Sequence, residues 1–141
     1  MAKLYLDANI VIRLVEQKTP AWQVLAAQLA ALAGGDSLYV VSDLVHMECL
    51  VKPLALGDTA MRALYEAYLD TLDVVALTRS VCVRAAGIRA RHRFGTPDAL
   101  HLAAAIEAGC DAFVTSDRRL SGFPEIEVAL IAVDAESVGQ E

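Results

Sequence analysis

Thr96-Pro97-Asp98-Ala99-Leu100-His101-Leu102-Ala103-Ala104-Ala105-Ile106 is the stretch on which the fold turns. Thr96 suits an N-cap, Pro97 the first helical position, and Gly109 a stop. The predicted helix is apolar on every side, and such a helix is buried all round. It therefore belongs at the centre of the molecule. Its first turn, with Asp98, is then carried to the middle of whatever sheet it covers.

Outward from this helix, short apolar runs alternate with helical patterns. Strands are predicted at 4–6, 38–41, 73–77, 112–115 and 128–133. Helical spacing covers 10–15, and a further helix follows Pro20 to about Ala33, where Gly34-Gly35 ends it. Ser42 is placed to cap a helix that ends before Pro53, Asp58 to cap one over 59–72, and Thr78 to cap one over 79–93. The strands are continuous apolar runs, not alternating ones, which is the pattern of a parallel sheet covered on both faces. The fold class expected is α/β. In such sheets ligands bind outside the carboxyl ends of the strands, where strand order reverses.

The chain of 141 residues, 15.1 kDa, fits one domain, taken as residues 1–141. Apolar residues make up 56 %, which excludes a disordered chain. Mean hydropathy is +0.44, yet the longest uncharged stretch, 19–35, is interrupted by Pro20, Gln23, Gln28 and Gly34-Gly35 and is too short to span a bilayer. No membrane association is expected, and no signal peptide fits the first residues. Cys49, Cys82 and Cys110 are odd in number and lack paired spacing, which suggests a reducing, cytoplasmic setting.

Net charge is −6, from 12 basic and 18 acidic residues. Taken alone this argues against nucleic-acid binding, unless several acids are gathered at one metal site. Four are placed for that. Asp7 ends the first strand, and Asn9 offers an alternative cap for the helix that follows. Glu48 shares a helical face with Leu44 and Val45, where an unpaired carboxylate is costly. Asp98 opens the apolar helix, and Asp117 follows the fourth strand in Thr115-Ser116-Asp117, whose hydroxyls are placed to fix a carboxylate. Each acid alone is also an ordinary cap or turn residue. Together they stand at one rim of the sheet, and an oxygen-only donor set favours Mg²⁺ or Mn²⁺.

Tyr5-Leu6-Asp7-Ala8-Asn9-Ile10, Ser42-Asp43-Leu44-Val45-His46-Met47-Glu48, the helix opening at Thr96 and Thr115-Ser116-Asp117 together resemble the PIN-domain family, most of all the VapC-type toxins of bacterial and archaeal toxin–antitoxin pairs. The resemblance covers nearly the whole chain in order. It implies a three-layer sandwich with a five-stranded parallel sheet, and Mg²⁺- or Mn²⁺-dependent endoribonuclease activity. It implies Asp7, Glu48, Asp98 and Asp117 as catalytic metal ligands. It further implies a homodimer and a small cognate VapB-like antitoxin whose tail covers the site. The chain departs from the family's Thr-Asn-Asp form in carrying Ser116.

His101 reads as a packed, hydrogen-bonded structural histidine, and His46 and His92 as non-catalytic. Tyr5, Tyr39 and Phe113 read as core. Arg79, Arg84, Arg89, Arg91 and Arg93 form the one basic-rich segment, either a solvated face or an edge for RNA phosphates. Arg13, Lys52, Arg118 and Arg119 lie beside the acidic segments and are further candidates for RNA backbone. The alternatives to a toxin are a weakly catalytic RNA- or protein-binding module and a housekeeping RNA-processing nuclease. A phosphoacceptor domain of receiver type is disfavoured, because the third strand ends Ala76-Leu77 without an acid.

Overall fold

A computed structural model describes residues 2–17 and 21–131. The elements are β1 (Ala2–Leu6), α1 (Ala8–Glu16), α2 (Ala21–Ala33), β2 (Ser37–Ser42), α3 (Asp43–Leu56), α4 (Thr59–Leu69), β3 (Asp73–Val75), α5 (Arg79–Arg91), α6 (Thr96–Glu107), β4 (Ala112–Thr115), a single 3₁₀ turn (Arg118–Leu120) and β5 (Glu127–Leu130). The sheet is all parallel, five-stranded, in the order β3-β2-β1-β4-β5. With its six helices it forms the expected α/β sandwich. Pro20 and the last two residues of the predicted fifth strand, 132–133, lie outside the described residues.

The order of strands explains where a site can form. From β1 the chain winds outward through β2 to β3, then returns to the other side of β1 for β4 and β5. The direction of winding reverses between β1 and β4, and a crevice opens at their carboxyl ends. The Asp7 N–H donates to the Val114 carbonyl (3.0 Å), which carries the β1–β4 pairing one residue beyond β1.

Packing follows the apolar pattern at the centre of the sheet and fails at its edges. Leu4, Tyr5, Leu6 and all of β4 are buried. Edge strands β3 and β5 are largely exposed, with Val74 and Leu130 facing solvent, so the expectation of burial on both faces holds only for the inner strands. In α6, Ala99 and the run from His101 to Ala105 are buried, as an all-round apolar helix requires. Tyr39 is half-buried and packs against the core.

Three capping expectations are corrected. The helix after β2 does not end before Pro53: α3 runs through it to Leu56, with Pro53 buried. It ends at Gly57, which takes a left-handed conformation (φ +64°) open to glycine at no steric cost. Loss of one N–H at Pro53 falls in the last turn, where Asp58 N–H and Gly57 N–H still close onto Pro53 and Leu54 carbonyls. Ser42 precedes α3 without capping it. Thr96 is the first residue of α6 and Gly95 its N-cap; the Thr96 hydroxyl instead accepts from Arg89.

Candidate functional site

Asp7 is the anchor of the site. It is itself the N-cap of α1, its Oδ1 accepting the Ala8 N–H (2.8 Å), so Asn9 does not take that role. Its Oδ2 accepts the Thr115 hydroxyl (2.8 Å) and Asn9 Nδ2–H (3.3 Å). Thr115 Oγ1 in turn accepts the Asp117 N–H (3.0 Å), and Asn9 Oδ1 accepts the Ser116 N–H (3.2 Å). These bonds fasten the segment after β4 to the segment after β1. Ser116 takes part through its backbone N–H.

The remaining acids arrive from two helices and a loop. Glu48 projects from α3 and Asp98 from the first turn of α6. Asp117 caps the 3₁₀ turn, its Oδ1 accepting the Arg119 N–H (3.0 Å). All four predicted acids line one open cleft of about 450 Å³, together with Asn9, Val51 and His101. Within it they fall into two groups. Single ligand atoms of Asp7, Glu48 and His101 lie within 4.8 Å of one another. Asp98 and Asp117 are bridged by the exposed Arg119 guanidinium, at 3.3 Å from Asp98 and 2.5 Å from Asp117.

Electrostatics of the cleft are unbalanced. Burial pushes the Asp7 carboxyl above its ordinary range, against the opposing pull of His101 and of the Thr115 and Ala8 hydrogen bonds. Burial also raises Asp98, with Arg119 opposing and the Asp117 and Asp7 charges adding. Asp117 is held low by its hydrogen bonds to Arg119, and the Arg119 guanidinium is raised by the same pairing. One guanidinium does not neutralise four carboxylates. Hard oxygen donors, close together and under-neutralised, suit a small divalent cation of the Mg²⁺ or Mn²⁺ type. Asp7 and Glu48, brought within 4.8 Å of one another together with His101, fit such an ion by chemistry, and Asp98 and Asp117 line the same cleft.

His101 was the residue least visible from sequence. It is buried and hydrogen-bonded, as expected, but it also lines the cleft: Nε2 is 2.7 Å from Glu48 Oε1 and 3.8 Å from Asp7 Oδ1. Its place three residues after Asp98 was the available signal. Arg119, a candidate for RNA backbone, holds Asp98 and Asp117 in this structure. Several of the α5 arginines are likewise engaged: Arg84 with Glu107, Arg91 with Glu125, and Arg89 with Thr96 and the Phe94 carbonyl. His92 joins the Glu125 pair, away from the cleft. His46 Nδ1 is buried without a partner among the described residues.

Comparison with known proteins supports the same fold. The family model described as PIN domain matches residues 4–126. Among solved structures, a VapBC pair of Rickettsia felis bound to a promoter DNA fragment superposes with a TM-score of 0.75 at 15 % identity, covering 91 % of this chain and 98 % of that one. A DNA-bound VapBC of Salmonella typhimurium gives 0.72 at 20 % identity, covering 92 % and 98 %. A VapC of Mycobacterium tuberculosis, described as a sarcin-ricin loop cleaving toxin, gives 0.65 at 18 % identity, covering 88 % and 98 %. A search of curated protein sequences returned no match.

Proposed function

The chain belongs to the PIN-domain family, and from that premise we propose that it is an Mg²⁺- or Mn²⁺-dependent endoribonuclease, the toxin of a VapC-type toxin–antitoxin pair, with residues 1–141 acting as one domain. The observation that carries this reading is the convergence of Asp7, Glu48, Asp98 and Asp117, from four separate segments, on one cleft at the reversal point of the sheet.

In this reading the four carboxylates hold the cation. When bound, such an ion makes water a stronger nucleophile and offsets charge on the phosphate during in-line displacement. Asp7 is the most buried of the four and is held by bonds to Ala8, Asn9 and Thr115. Glu48, accepting from His101 through Oε1, is oriented by a buried partner. Asp98 and Asp117, paired here with Arg119, would hold the ion where that guanidinium is displaced. The exposed Arg119 and its neighbour Arg118 then meet the RNA backbone, which reconciles an acidic chain with a polyanionic substrate.

The neighbours above are VapBC complexes and an RNA-cleaving VapC. They support a small VapB-like antitoxin as partner and RNA as substrate. We carry over from the family a homodimer and a cytoplasmic location; no helix of the described residues is long and apolar enough to cross a membrane. A second reading, a weakly catalytic binding module, draws on the same Arg119 bridge, which occupies two of the four acids.

Purified wild type is expected to cleave RNA with Mn²⁺ and stop on chelation. Asp98→Asn removes a charge that binds the ion and lowers the rate by about 100-fold or more, the effect of losing a few kcal/mol of charge stabilisation. Inducible expression should arrest growth and release discrete RNA fragments, and Asp7→Ala should do neither. Full Mn²⁺-dependent cleavage by Asp98→Asn would overturn the site; absence of cleavage with retained RNA binding would favour the binding module.

A further inference from the structure

A chain of buried hydrogen bonds lies behind Glu48. Ser42 Oγ is 2.7 Å from Tyr5 Oη, Tyr5 Oη is 2.8 Å from His101 Nδ1, and His101 Nε2 is 2.7 Å from Glu48 Oε1. Ser42 and Tyr5 are wholly buried and His101 is 2 % exposed. These three polar groups come from the end of β2, from β1 and from α6, and they meet under the cleft floor. Tyr5 stands two residues before Asp7 on extended backbone, so both point to the same face of the sheet. Its ring is pinned between Phe113, stacked at 5.2 Å, and the edge of His101 at 5.9 Å.

Donor and acceptor chemistry gives this chain a direction. An ionised carboxylate only accepts, so the hydrogen between His101 and Glu48 belongs to Nε2. In a neutral ring Nδ1 is then the acceptor, and the Tyr5 hydroxyl donates to it. The Tyr5 oxygen accepts from Ser42. In this arrangement His101, Tyr5 and Glu48 Oε1 each have a matching partner. With Nε2 deprotonated instead, two lone pairs would face each other at 2.7 Å. A ring nitrogen that bonds a cation must surrender that same hydrogen.

We propose that His101 and Tyr5 are positioning residues for Glu48: the Ser42–Tyr5–His101 chain fixes the Nε2–H tautomer and holds Glu48 Oε1, so that the rest of that carboxylate faces the cleft, and His101 does not itself ligate the ion. This rests on the reading of the cleft as a metal site. It accounts for Ser42 leaving the α3 backbone uncapped, since its hydroxyl is committed to Tyr5. It also explains why an otherwise apolar helix carries a histidine at its core.

The test uses the full chain and Mn²⁺ alone. Nitrogen NMR of the neutral wild-type ring should show hydrogen on Nε2, and a ring with hydrogen on Nδ1 overturns the proposal. Calorimetric titration should show the Mn²⁺ Kd raised about 10-fold in Tyr5→Phe and about 10–100-fold in His101→Leu, the usual cost of removing a partner that orients a ligand. His101→Gln, which keeps an N–H near the position of Nε2, should stay within about threefold of wild type. Electron spin-echo spectra of the wild-type Mn²⁺ complex should lack a directly bonded ring nitrogen; finding one overturns the proposal, as do Tyr5→Phe and His101→Leu binding as tightly as wild type. Failure of the wild type to bind Mn²⁺ at all would instead remove the metal reading. Tyr5→Phe and His101→Gln are near-isosteric, so the test survives if His101→Leu does not fold.

Discussion

The Thr115 hydroxyl donates to Asp7 Oδ2 at 2.8 Å while its oxygen accepts the Asp117 N–H at 3.0 Å, so one buried threonine ties together two acids that stand 110 positions apart in the chain. The bond to an ionised acceptor is charge-assisted and shielded from water. Thr115→Val keeps the shape and removes it, leaving a buried carboxylate oxygen under-satisfied. A loss of about 1.5–3 kcal/mol in unfolding free energy is expected, by denaturant titration, with Thr115→Ser retaining most of it. No loss in Thr115→Val would mean that the bond does not hold the Asp7 side chain.

Asp7 binds its proton more tightly in the folded chain than in the unfolded one, because burial penalises the charge. A raised carboxyl pKa makes its contribution to stability greatest at low pH and erodes it as pH rises through the folded value. Without divalent cations, Asp7→Asn should therefore become more stable relative to wild type as pH climbs from below the ordinary carboxyl range to neutrality. The difference should vanish on acidification. Calorimetric scans of both proteins in chelator across pH measure it, and a difference independent of pH would contradict the assignment.

Cation binding should reverse that order. Saturation with Mn²⁺ at about 100 times Kd adds about 2.7 kcal/mol. For a domain of this size the melting temperature should rise by roughly 5–10 °C in wild type, and Asp7→Asn should gain little. Equal shifts in both proteins would place the ion elsewhere.

Arg119 pairs with Asp98 and Asp117, so a cation held by those acids would have to displace it. Its side chain is 72 % exposed, and exposed ion pairs add little to stability. Arg119→Gln should leave the melting temperature in chelator nearly unchanged, tighten Mn²⁺ binding by a few-fold and weaken RNA binding at low salt. Weaker Mn²⁺ binding by Arg119→Gln would show that the guanidinium supports the acids instead of competing for them.

Gly57 separates fold from site. Its φ of +64° costs an L-residue about 1 kcal/mol, so Gly57→Ala should lower stability by about that much. Because Glu48 lies more than two turns upstream on α3, Mn²⁺ affinity should be unaffected. A parallel loss of Mn²⁺ affinity would show that the end of α3 sets the position of Glu48.

What the sequence determined by itself was local. The all-apolar run after Asp98 required a buried helix, the uninterrupted apolar strands required a parallel sheet, and Asp7, Asp98 and Asp117 stood at strand ends and first turns because those positions are read from near neighbours in the chain. Periodicity and capping act over a few residues, so they are legible without coordinates. Even there, Pro53 misled, because a proline in a last turn forfeits one hydrogen bond and need not stop a helix whose other end is well packed. Tertiary structure alone decided which distant groups meet: Tyr5 with Ser42 and His101, His101 with Glu48, Arg119 with Asp98. Those pairings follow from the order β3-β2-β1-β4-β5, which brings the ends of β1, β2 and β4 side by side; strand order is a property of the whole packed chain, and no short stretch of it carries that information.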